Sequence, residues 1–159
     1  MAHNIKAIIT SFKYEGERPN VVLVGNFHII TVDKRYGINF SEAALEPYKE
    51  LTSKTRKQLK EFSFKGKCAY IETHYFGGQG YQISEVWHNG KRIAGPMISF
   101  DGTNPKILTG VTLVEESINE SLKIIGIYKH EDKDEFDSVR LSDYRTNEEI
   151  IREYKLTNQ

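Results

Sequence analysis

The sequence predicts an α+β fold: a mainly antiparallel sheet with hairpins, one long amphipathic helix and short C-terminal helices. Two turn signals and one periodicity carry that expectation. Gly25-Asn26 and Asn89-Gly90 each sit between short runs rich in β-branched and apolar residues, the pattern of tight hairpins. Between them, Tyr48, Leu51, Thr52, Thr55, Leu59 and Phe62 recur at three and four, the spacing of one helix face. The length of 159 residues is that of a single domain, 1–159.

The elements follow in order. Ile5 to Phe12 reads as a strand that ends before Pro19, a residue unsuited to a paired strand. Val21–Val24 and Phe27–Val32 should pair across a Gly-first, type II′ loop. Pro47 suits the first turn of a helix, so the long helix is expected from Pro47 to Phe62 or Ser63, with Gly66 beyond its end. Ser41 to Glu46 reads as an earlier turn of it or a separate one. Cys68–Phe76, Tyr81–His88 and Lys91–Ala94 form an antiparallel meander, turning at Gly77-Gly78-Gln79-Gly80 and at Asn89-Gly90. Met97–Phe100 and Lys106–Val114 read as further strands. Ser117 and Glu120 have capping-box spacing ahead of the apolar stripe Ile118, Leu122, Ile125, with Gly126 at the end. A last helix begins at Thr146-Asn147, and the tail from Lys155 should fray.

Charge is balanced overall and uneven locally. Twenty-two basic residues meet twenty-two acidic ones, which disfavours a strongly basic nucleic-acid binder. Residues 1–80 carry 12 basic against 8 acidic residues, and residues 81–159 carry 10 against 14. The acidic excess peaks at Glu131 to Asp137, so Asp132, Asp134, Glu135 and Asp137 are the candidate partner-binding residues. The basic run Lys49 to Lys67 reads as the solvated face of an amphipathic helix, because no aromatics interleave on its basic side to stack bases.

A second candidate site lies on the meander. A four-residue loop would place Phe76 opposite Tyr81, His74 opposite Ile83, Glu72 opposite Glu85 and Tyr70 opposite Trp87, all on one face. Like charges directly opposite are unfavourable, so such a pair has a use or the register is shifted. The uses are a metal site, an acid–base pair, or a polar sheet face that meets water. Glu72, His74, Gln79 and Glu85 form this alternative site.

Other chemistry finds little support. No lysine follows the glycines as in a phosphate loop, and the acidic run does not have the calcium-loop spacing. There is no GxSxG, HExxH or CxxC, and no cofactor is implied. The single cysteine, Cys68, begins an apolar strand and reads as an inert core thiol in a cytoplasmic protein. No apolar run reaches membrane-spanning length, and the N-terminus lacks a signal-peptide pattern.

Four segments resemble a known class of proteins. They are Ala69-Tyr70-Ile71-Glu72-Thr73-His74-Tyr75-Phe76-Gly77-Gly78-Gln79-Gly80, Ile118-Asn119-Glu120-Ser121-Leu122-Lys123-Ile124-Ile125-Gly126, Asp134-Glu135-Phe136-Asp137 and Tyr144-Arg145-Thr146-Asn147-Glu148. In that order, over residues 66–150, they resemble small bacterial cytosolic proteins similar to the immunity proteins of polymorphic toxins. The resemblance implies a non-enzymatic protein that neutralises a toxin domain by direct binding. The alternative is a small enzyme or nucleotide-binding protein that uses Glu72, His74, Glu85 and the Gly77–Gly80 loop.

Overall fold

In the computed structural model, residues 3–32, 45–102 and 110–158 are described. They form a seven-stranded sheet in the order β2-β3-β1-β4-β5-β6-β7, with helices on both faces. Its strands are β1 (Lys6–Thr10), β2 (Asn20–Val22), β3 (His28–Thr31), β4 (Cys68–Phe76), β5 (Gln79–His88), β6 (Lys91–Asp101) and β7 (Thr112–Leu113). Every pairing is antiparallel except β6 with β7. The helices are α1 (Ser53–Phe62), α2 (Ser117–Ile125), α3 (Glu135–Ser138) and α4 (Asn147–Thr157). The α+β class holds.

Alternation divides the core between two faces. Ala7, Ile9, Ala69, Ile71 and Val86 point to one face, where Ile118, Leu122 and Ile125 of α2 and Ile150 of α4 cover them. Ile8, Tyr70, Ile83 and Ile98 point to the other, under Leu59 of α1 and under Tyr48 and Leu51. The central strands β1, β3 and β4 are covered on both sides, so they read as apolar runs rather than as strict alternation.

The helix of the sequence reading is shorter in the structure. It starts at Ser53, capped by the Thr52 side chain, which accepts from the Thr55 backbone N–H at 3.2 Å. Residues 45–52 form a strap instead. The Leu45 N–H donates to the Leu51 carbonyl, and the backbone N–H groups of Lys49 and Glu50 go to the Glu72 carboxylate. The Thr55 N–H goes to the Thr52 side chain and not to the Leu51 carbonyl, so helical bonding begins with the Arg56 N–H on the Thr52 carbonyl. The apolar spacing still identified what is covered: Tyr48, Leu51, Thr52, Thr55 and Leu59 are all buried. Ser41 to Ala44, and Lys106 to Thr109 of the expected strand, lie outside the described residues.

Three further expectations change. The β4–β5 turn is the two residues Gly77-Gly78, both at positive φ (62° and 80°), so Phe76 faces Gln79. In the β2–β3 hairpin both Gly25 and Asn26 take positive φ, where a Gly-first type II′ loop needs only one. Ser117 does not cap α2. The N-cap is Glu116, without a side-chain bond, and the Ser117 hydroxyl donates to the Met97 carbonyl at 2.6 Å and contacts the Ser84 hydroxyl at 2.7 Å. Ser121 meets Ser84 as well, at 2.6 Å, so the helix sits on the sheet through a buried hydroxyl cluster. At the other end of the chain, α4 continues to Thr157, past the point where fraying was expected.

β6 is one strand of eleven residues, with irregular pairing to β5 around Glu85. Gly95 makes this possible. Its φ is 93°, and a Cβ there would lie 2.6 Å from the Ser84 carbonyl oxygen and 2.8 Å from Glu85 Cα. Gly95→Ala should therefore cost about 2–3 kcal/mol, from the left-handed backbone and the clash together. Gly77→Ala shares the positive φ but meets nothing within 4 Å, and should cost about 1 kcal/mol. Urea denaturation of the two variants checks the ranking, and equal losses would contradict it.

Candidate functional site

Glu72 and Glu85 lie on the α1 face of neighbouring strands, as the alternation requires. They are not opposite each other. Glu72 pairs with Ile83, and Glu85 pairs with Tyr70. The shift from the expected register is two residues, because the turn is two residues long rather than four. An even shift keeps every side chain on its face. The expected polar face open to water is corrected as well: both carboxylates are 0% exposed.

Each carboxylate is held by its own set of donors. Glu72 Oε1 accepts from the Lys49 N–H and from His74 Nε2, both at 2.9 Å. Glu72 Oε2 accepts from the Glu50 N–H at 3.0 Å and from the Tyr70 hydroxyl at 2.7 Å. Glu85 takes a two-pronged contact from Arg56, Nε to Oε2 at 3.1 Å and Nη2 to Oε1 at 2.6 Å. Trp87 Nε1 donates to Glu85 Oε2 at 2.7 Å, and Arg92 Nη1 stands 3.7 Å from Oε1. Planar guanidinium against planar carboxylate is the strongest geometry such a pair has.

Aromatic rings wall the two groups. Tyr48 packs edge-on against Tyr70 with centroids 5.4 Å apart, and His74 stacks on Tyr81 at 4.7 Å. The Tyr48 hydroxyl is buried with no hydrogen-bond partner among the described residues, and burial together with the Glu85 charge raises its pKa well above the usual phenol value. Burial pushes the Tyr70 hydroxyl up too, with the Glu72 charge adding to it. The Cys68 thiol donates to the Leu59 carbonyl at 3.5 Å, and burial, with Glu85 behind it, pushes its pKa up to about 12. That thiol is a core group and not a nucleophile at neutral pH.

Glu72 shows what its donors do. Burial alone would raise its pKa, yet the bonds from His74, Lys49, Glu50 and Tyr70 outweigh burial and hold it below the usual carboxylate value. A carboxylate kept charged with both oxygens occupied has no lone pair aimed at a substrate. Gln79, the fourth residue of the predicted set, stands apart. It opens β5 on the exposed hairpin end, six residues or about 20 Å from Glu85 along the strand. Among the described residues no three His, Cys, Asp or Glu side chains gather as metal ligands, and no helix is long and apolar enough to cross a membrane.

The acidic residues separate by role. Asp134 caps α3, accepting from the Asp137 N–H at 2.9 Å, and takes the Asn119 amide on its second oxygen at 3.0 Å. Glu135 is only 4% exposed and lies 3.9 Å from Lys123, so it is covered where the sequence reading left it free. Asp132 and Asp137 are exposed. The fold adds residues that the sequence reading missed. The Glu116 pKa is raised, by burial first and then by the charges of Asp101, Asp134 and Glu115. Asp101 comes from the end of β6 and Asp134 from the N-cap of α3, so three separated segments bring acidic groups close to Glu116. The adjacent Glu115-Glu116 was visible in the sequence; only sheet pairing brings in Asp101.

No protein-family model, curated protein or solved structure matches this chain.

Glu72→Gln would turn an amide NH2 toward two of four donors, and should cost about 2–3 kcal/mol. The sequence reading, with two glutamates opposed in water, implies 1 kcal/mol or less for removing both charges. The pH dependence has a definite sign. A folded-state pKa below the ordinary 4.5 gives stability that is complete above that value and is lost as pH falls through the depressed one. Urea titrations should show wild type losing more stability than Glu72→Gln between pH 4.5 and the acid limit. Parallel curves would contradict the assignment.

Proposed function

We propose that this chain works by binding: it neutralises a bacterial toxin domain by presenting surface rather than chemistry, in the manner of an immunity protein. The observation that carries the reading is the state of the two candidate carboxylates. Both are buried; Glu72 takes four hydrogen bonds from its own fold, and Glu85 takes three, with a second guanidinium, that of Arg92, 3.7 Å away. Groups in that state hold a scaffold together. The free thiol of Cys68 is at home in a reducing cytoplasm, which is where such a protein would meet its partner.

The contact surface we assign is the acidic one. Asp101, Glu115, Glu116, Asp132, Asp134 and Asp137 are exposed around the N-termini of α2 and α3. A toxin that attacks nucleic acid carries a basic cleft, and an acidic surface both steers its approach and competes for that cleft. Asp134 has two jobs, because it also caps α3. Asp132, Asp137 and Glu115 are the residues to change, since their side chains make no hydrogen bond or ion pair among the described residues.

Asp132→Lys, Asp137→Lys and Glu115→Lys together should lower the association rate with the partner about tenfold at low salt and flatten its salt dependence. The melting temperature should stay as in wild type. The partner is obtained by affinity capture from the native host, and stopped-flow mixing gives the rates. An unchanged low-salt rate would move the contact elsewhere. Turnover of a small molecule, abolished by changing Glu72 or His74, would overturn the binding reading.

A further inference from the structure

The other face of the sheet carries a surface of opposite character. Ser53, Arg56, Lys57 and Lys60 line one side of α1. With Leu45 of the strap and Trp87 of β5 they line a shallow, open groove of about 380 Å³. The groove follows the helix from Ser53 to Lys60, about 10 Å at 1.5 Å per residue, enough for three residues of extended peptide. The basic run looked like a bare solvated face in the sequence. Pairing of β5 with β4 sets an indole beside it.

Its parts differ in freedom. Trp87 is held in one orientation by the bond from Nε1 to Glu85. Arg56 is engaged by the same carboxylate through Nε and Nη2. Lys57 and Lys60 are exposed and meet no carboxylate among the described residues. A pre-positioned aromatic ring beside an apolar Leu45, flanked by two uncompensated ammonium groups, has the composition of an interface anchor. The ligand that complements it has one large apolar side chain with carboxylates on either side.

We propose that this groove binds an acidic, extended segment of a partner protein. An apolar side chain of the segment lies against Trp87 and Leu45, and its carboxylates meet Lys57 and Lys60. The proposal goes beyond the binding reading above. α1 and α2 cover opposite faces of the sheet, so this contact and the acidic one stand or fall separately.

Trp87 is the single tryptophan of the chain, and its emission reports the groove directly. The full chain is titrated with a five-residue peptide of one phenylalanine between pairs of aspartates, and with the same peptide carrying asparagines. The acidic peptide should give a saturable change in emission that weakens with salt, and the neutral one should not. K57E/K60E should weaken the acidic peptide about tenfold, the effect of two screened surface charges. K57Q/K60Q should fall between, and serves if the reversed pair disturbs α1. Equal binding of the two peptides, no saturable change, or an affinity unchanged in the variants would overturn the proposal. Saturation by adenosine monophosphate without peptide binding would overturn it too and make the groove a nucleotide site. None of these outcomes depends on the acidic face.

Discussion

Two carboxylates buried under one face of the sheet set the terms for everything packed there. A charged group taken out of water is tolerated only when its lone pairs are met by donors. Glu72 is met mostly by neutral donors: two backbone N–H groups, a phenol and an imidazole. Glu85 is met by a guanidinium and an indole. Tyr70, His74 and Trp87 are donors from the sheet itself, and the rest come from the strap at residues 45–52 and from α1. The strap and α1 must therefore lie where they do, or each glutamate loses part of its donor set. Gly95 belongs to the same constraint, because its backbone passes close against Glu85.

That arrangement makes the α1 side of the molecule a fixed platform. The strap delivers Tyr48 and Leu51 to the core and Leu45 to the groove, and the Glu85 contacts orient both Arg56 and Trp87. The other side of the sheet is assembled differently. There the buried hydroxyls of Ser84, Ser117 and Ser121 seat α2, and Asn119 links it to α3 through Asp134 and the Phe136 N–H. Acidic side chains gather on the outer surface of that assembly. In the proposed reading the chain is a scaffold with two contact faces of opposite charge, and the interior network positions the surfaces.

Much of this was legible from residue patterns. Turn chemistry at Asn89-Gly90 and apolar periodicity identified the meander and the covered side of residues 48–62. The face shared by Glu72, His74 and Glu85 was also correct, because a register error of two residues preserves the faces. What the pattern could not show was where backbone N–H groups go. Pro47 and the helical spacing of Tyr48 and Leu51 fit a helix, but the Leu51 carbonyl is taken by the Leu45 N–H and the Thr55 N–H by the Thr52 side chain, while Glu72, twenty-odd positions later, ties the strap down through the N–H groups of Lys49 and Glu50. The same blindness to distant partners hid the burial of both glutamates, the capping role of Asp134, the covered position of Glu135, and the approach of Asp101 to Glu116. Ser117 is a converse case. Its spacing to Glu120 matched a local capping motif, yet its hydroxyl serves the sheet beneath.

The central claim is that the Glu72 carboxylate fastens the strap to the sheet. Native-state hydrogen exchange reads this at single amides. In wild type the Lys49 and Glu50 N–H groups should exchange slowly, as donors to a buried carboxylate. In Glu72→Gln they should exchange many times faster, together with the amides of α1, while those of α2 keep their protection. Equal protection of Lys49 and Glu50 in the two proteins would contradict the account, because something other than this carboxylate would then be holding the strap.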